Sequence, residues 1–508
     1  MAGRRRRPQI RVKTRRVQLG GEGEETRGFS GGWNPAAPVQ ELAKNELGAP
    51  SLNVTLGQGN EAMVRLGATL ATLTGTDAGG PVLIFWWEQQ DITLIQVGAK
   101  LYDVAAGGTA FTLIHTFTTT HRAAICEFNG ELVITHQADG VFTKVGGAGQ
   151  GLTLRSATVK GNSIAAWGNK VWVTEGGGTK VWWSNLNNAS VWTTGTDFNP
   201  IREVNDLPLS AIGAGIGVDV VGRGGLLVWK QRSMYRIHDA ATGAYTTISR
   251  DAGAGGALSV TSVGSLIGFV GPAGFFTYSK DGELLRASDK VGPVVWDNTT
   301  TPKGASQMTN WIVWAMRDRF YVNVEIASGV YRTLELDPER KTWMPYNATG
   351  YWSVCRRVDP TTGLEAIRAT HRSSAKLWTL DADTTTDDGA GFAATVVTAP
   401  ARPNAGSKIS FRQAVVHGRD GANASWALKP AIDWSLAGGS ARTVELPATS
   451  ATKPLDRKKM FSLGKGESLH LILELTTHAS DASITPTGGR RVSPYAIAGV
   501  VVDAVVLS

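Results

Sequence analysis

Short runs of apolar and β-branched residues, broken by glycine, aspartate or threonine, fill most of this chain. From about residue 64 onward the pattern is that of strands: PVLIFWW (81–87), TLIQVGAKLYDVA (93–105) and FTLIHTFT (111–118) follow one another closely. AAICEF, then Asn129-Gly130, then ELVITH (123–136) predicts a hairpin, because Asn-Gly suits a type I′ turn. SIAAWGNKVWVTEGGGTKVWWS (163–184) predicts three short strands. GGLLVWKQRSMYRIHD (224–239), SLIGFVGPAGFFTYSKDGELLRAS (265–288) and WIVWAMRDRFYVNVEI (311–326) predict two each. YRTLELDPERKTWMPY (331–346) predicts a hairpin turning at Asp-Pro-Glu-Arg, and KLWTLDADT (376–384) the last strand of the series.

These units recur at roughly 40–50 residues with up to four strands each, the spacing of propeller blades. A tryptophan sits in many of the runs (Trp172, Trp182, Trp229, Trp314, Trp343, Trp378), where a large flat ring suits the wedge between blades. Near 384–408 the composition shifts to TTTDDGAGFAATVVTAPARPNAGSK, which reads as a boundary or crossover. Five further strand regions follow: KISFRQAVVHG, SWALKPAIDWS, ARTVELPA, MFSLGKGESLHLILELTTH and YAIAGVVVDAVVLS. The expected fold is therefore all-β. A β-propeller of about seven blades spans 33–395, and a β-sandwich or jelly-roll-like domain spans 396–508. A disordered or extended basic arm, 1–32, precedes them. The one helical candidate, PAAPVQELAKNELG (35–48), has only Val39, Leu42 and Leu47 as large apolar residues.

Charge sharpens the reading of the arm. Arg4, Arg5, Arg6, Arg7, Arg11, Lys13, Arg15 and Arg16 are eight of the chain's 51 bases, so 43 bases remain against 43 acids and the body is formally neutral. The net charge of +8 thus describes the arm, not the folded surface. Eight bases suit an acidic partner, either DNA phosphates or an acidic protein neighbour. Residues 4–16 hold no aromatic residue, which argues against base stacking. Two cysteines, Cys126 and Cys355, make neither a disulfide framework nor a metal motif and fit a reducing cytoplasm. The start lacks the apolar run of a signal peptide, and no apolar run reaches the roughly 18 residues that cross a membrane.

Candidate chemistry is sparse. The eight histidines show no metal-binding spacing. GFSGG (28–32) matches a nucleophile elbow, but it lies in the arm with no strand before it. VGGAGQG (145–151) and DAGAGG (251–256) lie between strand runs and read as turns, not phosphate cradles. SNLNNASVWTT (184–194) lacks the aspartate and glycine of a sialidase Asp-box. No catalytic residue, cofactor or metal is nominated. A glycosidase built on two carboxylates from distant loops would leave no local trace.

Four stretches together resemble the propeller proteins of tailed-bacteriophage tails, including the nozzle or packaged-DNA stabilisation proteins of short-tailed phages. FSGGWNPAAPVQELAKNELGAPSLNVTL followed by MVRLGATL is similar to that family's opening, with an asparagine before a strand and then Arg-x-Gly. NKVWVTEGGGTKVWWSNLNNASVWTT, LLVWKQRSMYRIHD and GALSVTSVGSLIGFVGPAGFFTYSKDGELLRASDKVGP are similar to successive later segments. The likeness covers residues 29–300 well and the remainder loosely, and the order of the motifs is more specific than any one of them. The Arg-rich start departs from the family. The resemblance implies a structural virion protein assembled in the host cytoplasm: a homohexameric ring in the tail, joined to head-tail connector or tail proteins, lining the DNA channel and holding DNA until ejection. The alternative is a tail-tip propeller that binds a host receptor or glycan; a glycan hydrolase ranks below it.

Overall fold

The computed structural model describes residues 14–19, 29–35, 37, 42–43, 45–49, 51–56, 62–105, 110–192, 198–202, 207–214, 225–292, 311–327, 329–347, 349–358, 365–380, 387–401, 409–419, 426–433, 442–444, 456–466, 468–477 and 496–506. They are almost wholly strand and turn, with a single 3-10 turn at Glu88–Gln90. The chain divides into two compact units. One holds residues 69–341 and 347–382; the other holds 1–68, 342–346 and 383–508.

The first unit is a β-propeller. Seven four-stranded antiparallel sheets follow one another: blade 1 at 83–116, blade 2 at 124–156, blade 3 at 161–200, blade 4 at 209–249, blade 5 at 260–286, blade 6 at 312–347 and blade 7 at 351–380. Blade 7 supplies only three strands in sequence. Its fourth is Thr69–Thr72, from before blade 1, with Thr379 opposite Thr69 and Lys376 opposite Thr72. This long-range pairing completes the last blade and shuts the ring.

Local chemistry explains the hairpins. Phe128 faces Glu131 across Asn129 and Gly130, whose φ angles of 50° and 80° make the expected type I′ turn. Gly168-Asn169 (59°, 56°) and Arg317-Asp318 (51°, 64°) do the same at the first turns of blades 3 and 6. Between blades the core is apolar. Trp87, Leu94, Leu132 and Phe142 join blades 1 and 2; Trp172, Trp183, Val228 and Tyr235 join blades 3 and 4; Trp229, Phe269 and Phe276 join blades 4 and 5. Ile84, Tyr102 and Leu377 close the circle between blades 1 and 7. Trp172, Trp229 and Trp343 are fully buried, Trp182 and Trp314 nearly so, and Trp378 half-buried.

The second unit holds two larger β-sheets and one short two-stranded pair. One sheet runs Asp456–Gly466, Ile409–Arg419, Ala496–Val506, Ala62–Val64, Val54–Leu56, with Thr14–Leu19 also paired to Ala496–Val506. The other runs Ala393–Val397, Leu469–Thr476, Trp426–Ile432, Arg442–Val444. Trp426, Leu428, Leu471 and Leu473 are fully buried, as period-two strands with one face inward require.

Four readings from the sequence change. The boundaries fall elsewhere than 33–395 and 396–508: residues 29–68 belong with the C-terminal strands, and the propeller begins at Thr69. The arm is not wholly free, because Thr14–Leu19 is a strand held by this chain's own last strand. The Phe29–Gly32 stretch is folded, not part of a loose arm: Phe29 is fully buried, and Gly32–Trp33 pairs in parallel with Glu46–Leu47. Glu46–Leu47 also ends the proposed helix at 35–48; half of its remaining residues lie outside those described, and none of the others is helical.

Candidate functional site

Of the eight basic residues singled out, Arg15 and Arg16 lie on the first strand, opposite Ala504 and Asp503. Arg4, Arg5, Arg6, Arg7, Arg11 and Lys13 lie outside the described residues. The polar clusters that the fold assembles lie elsewhere in the chain, and sequence reading nominated none of them as a site.

Innermost strands line the axis of the propeller. A cavity of about 280 Å³ opens beside those of blades 5, 6 and 7, walled by Thr261, Ser262, Ala315, Val354 and Arg356 among others. Arg356 pairs with Glu365 at 3.1 Å and stays largely exposed. Next to it, Arg357 of blade 7 reaches Asp91 of blade 1, with Nη2 at 3.2 and 3.3 Å from the two carboxylate oxygens. Asp91 is held in place by a left-handed backbone (φ 45°) and by Trp86 Nε1, which donates to it at 2.8 Å. Both cysteines are on innermost strands, and burial pushes each thiol up to about 12. Such thiols stay protonated near neutrality and are poor nucleophiles.

At the opposite ends of these strands, blades 6, 7 and 1 and the connection to blade 2 converge on a cationic and aromatic cluster. Arg372, in the turn after the second strand of blade 7, lies between the rings of Tyr331 (4.0 Å) and Trp352 (4.2 Å). Trp352 Nε1 donates to Arg372 O at 2.9 Å. Arg122, in the connection from blade 1 to blade 2, donates from Nε to Val82 O (2.8 Å) and from Nη2 to Trp352 O (3.0 Å). Burial, and then the like charge of Arg372, pull Arg122 down to about 10.

Blade 2 adds a histidine group. His136 is fully buried and stacks on Phe117 at 4.2 Å; its Nδ1 is 3.1 Å from Asp139 Oδ2 and its Nε2 3.0 Å from His121 O. Burial lowers the His136 pKa, outweighing the pull of Asp139, and burial likewise lowers that of His115. Asp139 also accepts from the Thr118 amide and hydroxyl.

Two further ion pairs, one wholly buried, complete the picture. Lys144 and Asp103 are both 0% exposed and 3.0 Å apart, joining blade 2 to blade 1. The glycine-rich loop 145–151 is indeed a turn, and it wraps this pair: Lys144 donates to Gly147 O and Gln150 O, while Gly149 N donates to Asp103. In the other unit, Arg65 is 4% exposed and grips Asp387 with both guanidinium arms. It also donates to Asn53 Oδ1 at 3.0 Å and lies 4.0 Å over Phe392. Asn53 and Arg65 are the asparagine and the Arg-x-Gly residue of the opening motif. Ser30 of GFSGG accepts from Asn45 Nδ2 at 3.0 Å. Among the described residues, no group of three His, Cys, Asp or Glu is placed to hold a metal ion, and no helix is long and apolar enough to cross a membrane.

No family model matches the chain, and no curated protein matches it. Among solved structures it is similar to U3-55K at 7% identity, covering 61% of this chain and 98% of that one with a TM-score of 0.40. It is similar to the extracellular domain of a one-component system from B. thetaiotaomicron at 8% identity, covering 90% and 62% with a TM-score of 0.44. BBS1N, solved in complex with ARL6DN, gives 12% identity, 63% and 97% coverage and a TM-score of 0.38.

Proposed function

We propose that this protein is a structural subunit of a tailed-phage tail, self-assembling into a closed ring around the DNA channel and helping retain and guide DNA for ejection. The reading starts from the ordered sequence likeness over residues 29–300. The observation that supports it most is how the propeller uses charge between its blades: the buried pair Lys144–Asp103 and the half-buried pair Arg357–Asp91 each tie two blades together. Groups fixed in this way stiffen a wall; they are not poised for proton transfer. A ring of self-complementary copies is the economical way to build such a wall. The basic arm, ahead of the Thr14–Leu19 strand, is suited to phosphate or to an acidic neighbour in the particle.

Labelling purified phage particles with an antibody against this chain tests the reading. Label on the tail, with recombinant protein forming closed rings in negative stain, is the expected result. Label absent from tails, or release of sugar from host glycans by the purified protein, contradicts it.

A further inference from the structure

The cluster at the seam of the propeller carries a charge that its surroundings do not balance. Arg122 makes two hydrogen bonds among the described residues, both to backbone carbonyls, Val82 O and Trp352 O. Five N–H donors sit on a guanidinium, so part of its fork is unused. The charged group that acts on it is a second guanidinium, Arg372. Arg372 bonds to the Tyr331 side chain, and its one carboxylate neighbour is Glu325, which also accepts from Gly329 N at 2.8 Å. Its own Nε is buried with no acceptor. Two cations against one carboxylate leave one positive charge over, in a site walled by Trp352 and Tyr331. Both arginines are half-buried, so water screens that charge only in part, and a bound anion relieves it.

The arrangement is also well held. Trp352 serves both arginines at once, its carbonyl taking Arg122 and its ring stacking on Arg372. The Arg372 carbonyl is fixed by the Trp352 indole, and Gly80 packs so closely against it that an added Cβ would lie 2.2 Å from that oxygen. Forked donors on a fixed frame are the usual receptor for carboxylate or phosphate.

We propose that Arg122 and Arg372 form an oxyanion-binding site, taking one carboxylate or phosphate group where blades 6 and 7 meet blade 1 and its connection to blade 2. The site is independent of the tail assignment. An anion there bridges blade 7 to the blade 1–2 connection and reinforces the seam that the Thr69–Thr72 strand closes.

Titration of the full-length protein with inorganic phosphate and with malonate, at constant ionic strength, tests this by calorimetry and by phosphorus line broadening. Saturable binding of either probe is expected, weakened at least tenfold in Arg122→Gln and less in Arg122→Lys, which keeps the charge but loses the fork. Which probe binds more tightly tells phosphate from carboxylate. No saturable binding of either by the wild-type protein overturns the site, as does binding that Arg122→Gln and Arg372→Gln leave unchanged. The wild-type titration decides the matter even where a variant does not fold.

Discussion

Arg65→Met is expected to lower the unfolding free energy of the unit that holds it by about 2–3 kcal/mol, less than the roughly 3–5 of a wholly buried pair because the Asp387 left behind is 26% exposed. Methionine fills much of the space over Phe392, so the loss comes from polar partners. Asp387 keeps its charge without the guanidinium that both its oxygens contact, and Asn53 Oδ1 loses its donor. The consequence spreads because Asp387 also accepts from Ala68 N, and Asn53 Nδ2 donates to Ala393 O at 2.7 Å. Those bonds tie 53–68 to 387–393 across more than 300 residues of sequence. Urea denaturation followed by tryptophan fluorescence measures the change. The double variant Arg65→Met with Asp387→Leu should recover a good part of the loss, since it removes the orphaned carboxylate as well. A single-variant loss below about 1 kcal/mol would mean that the contact is ornamental.

Lys144→Met should cost more in the propeller, about 3–5 kcal/mol, for a different structural reason. Here both partners are wholly enclosed, and the loop at 145–151 is folded around them. Removing the ammonium strands Asp103 and also the carbonyls of Gly147 and Gln150. The loop then has less reason to keep its shape, so limited proteolysis should cut it in Lys144→Met and not in the wild-type protein. Lys144→Met with Asp103→Leu should again be milder than the single change. Unaltered protease resistance in the single variant would contradict the role given to the pair.

The blades were legible because their information is local. Asn129-Gly130 fixes one hairpin, Gly168-Asn169 another, and the short apolar runs around them read as strands. About seven units could be counted for that reason. The pieces that close the molecule were not legible. Thr69–Thr72 is a four-residue strand of small residues, TLAT, and its partner lies some 300 residues away. Val54–Leu56 and Ala62–Val64 are shorter still, and nothing in their pattern says that they pair with each other and that the second pairs with the last strand of the chain. The basic arm drew attention because charge in sequence is conspicuous, yet two of its arginines sit on a strand of the second unit.

The candidate site was missed for the same reason. Arg122, Trp352 and Arg372 stand in three separate runs, none of them a motif. Asp387 sat in a stretch, TTTDDGAG, that reads as linker. Only one signal was available: the asparagine and Arg-x-Gly of the opening motif, Asn53 and Arg65, which the fold turns into one hydrogen-bonded anchor.

Closure of seven blades by a strand from the front of the chain is the claim on which the rest stands, and a designed disulfide reaches it directly. Thr72 and Lys376 face each other as antiparallel partners, at a spacing a disulfide can span. Thr72→Cys with Lys376→Cys, oxidised in dilute solution, should form an intrachain bond in nearly all molecules and raise the melting temperature, with a ceiling on the order of 5 kcal/mol for so long a loop. Cysteines that stay reduced, or that link one chain to another, would show that the ring is not shut in this way.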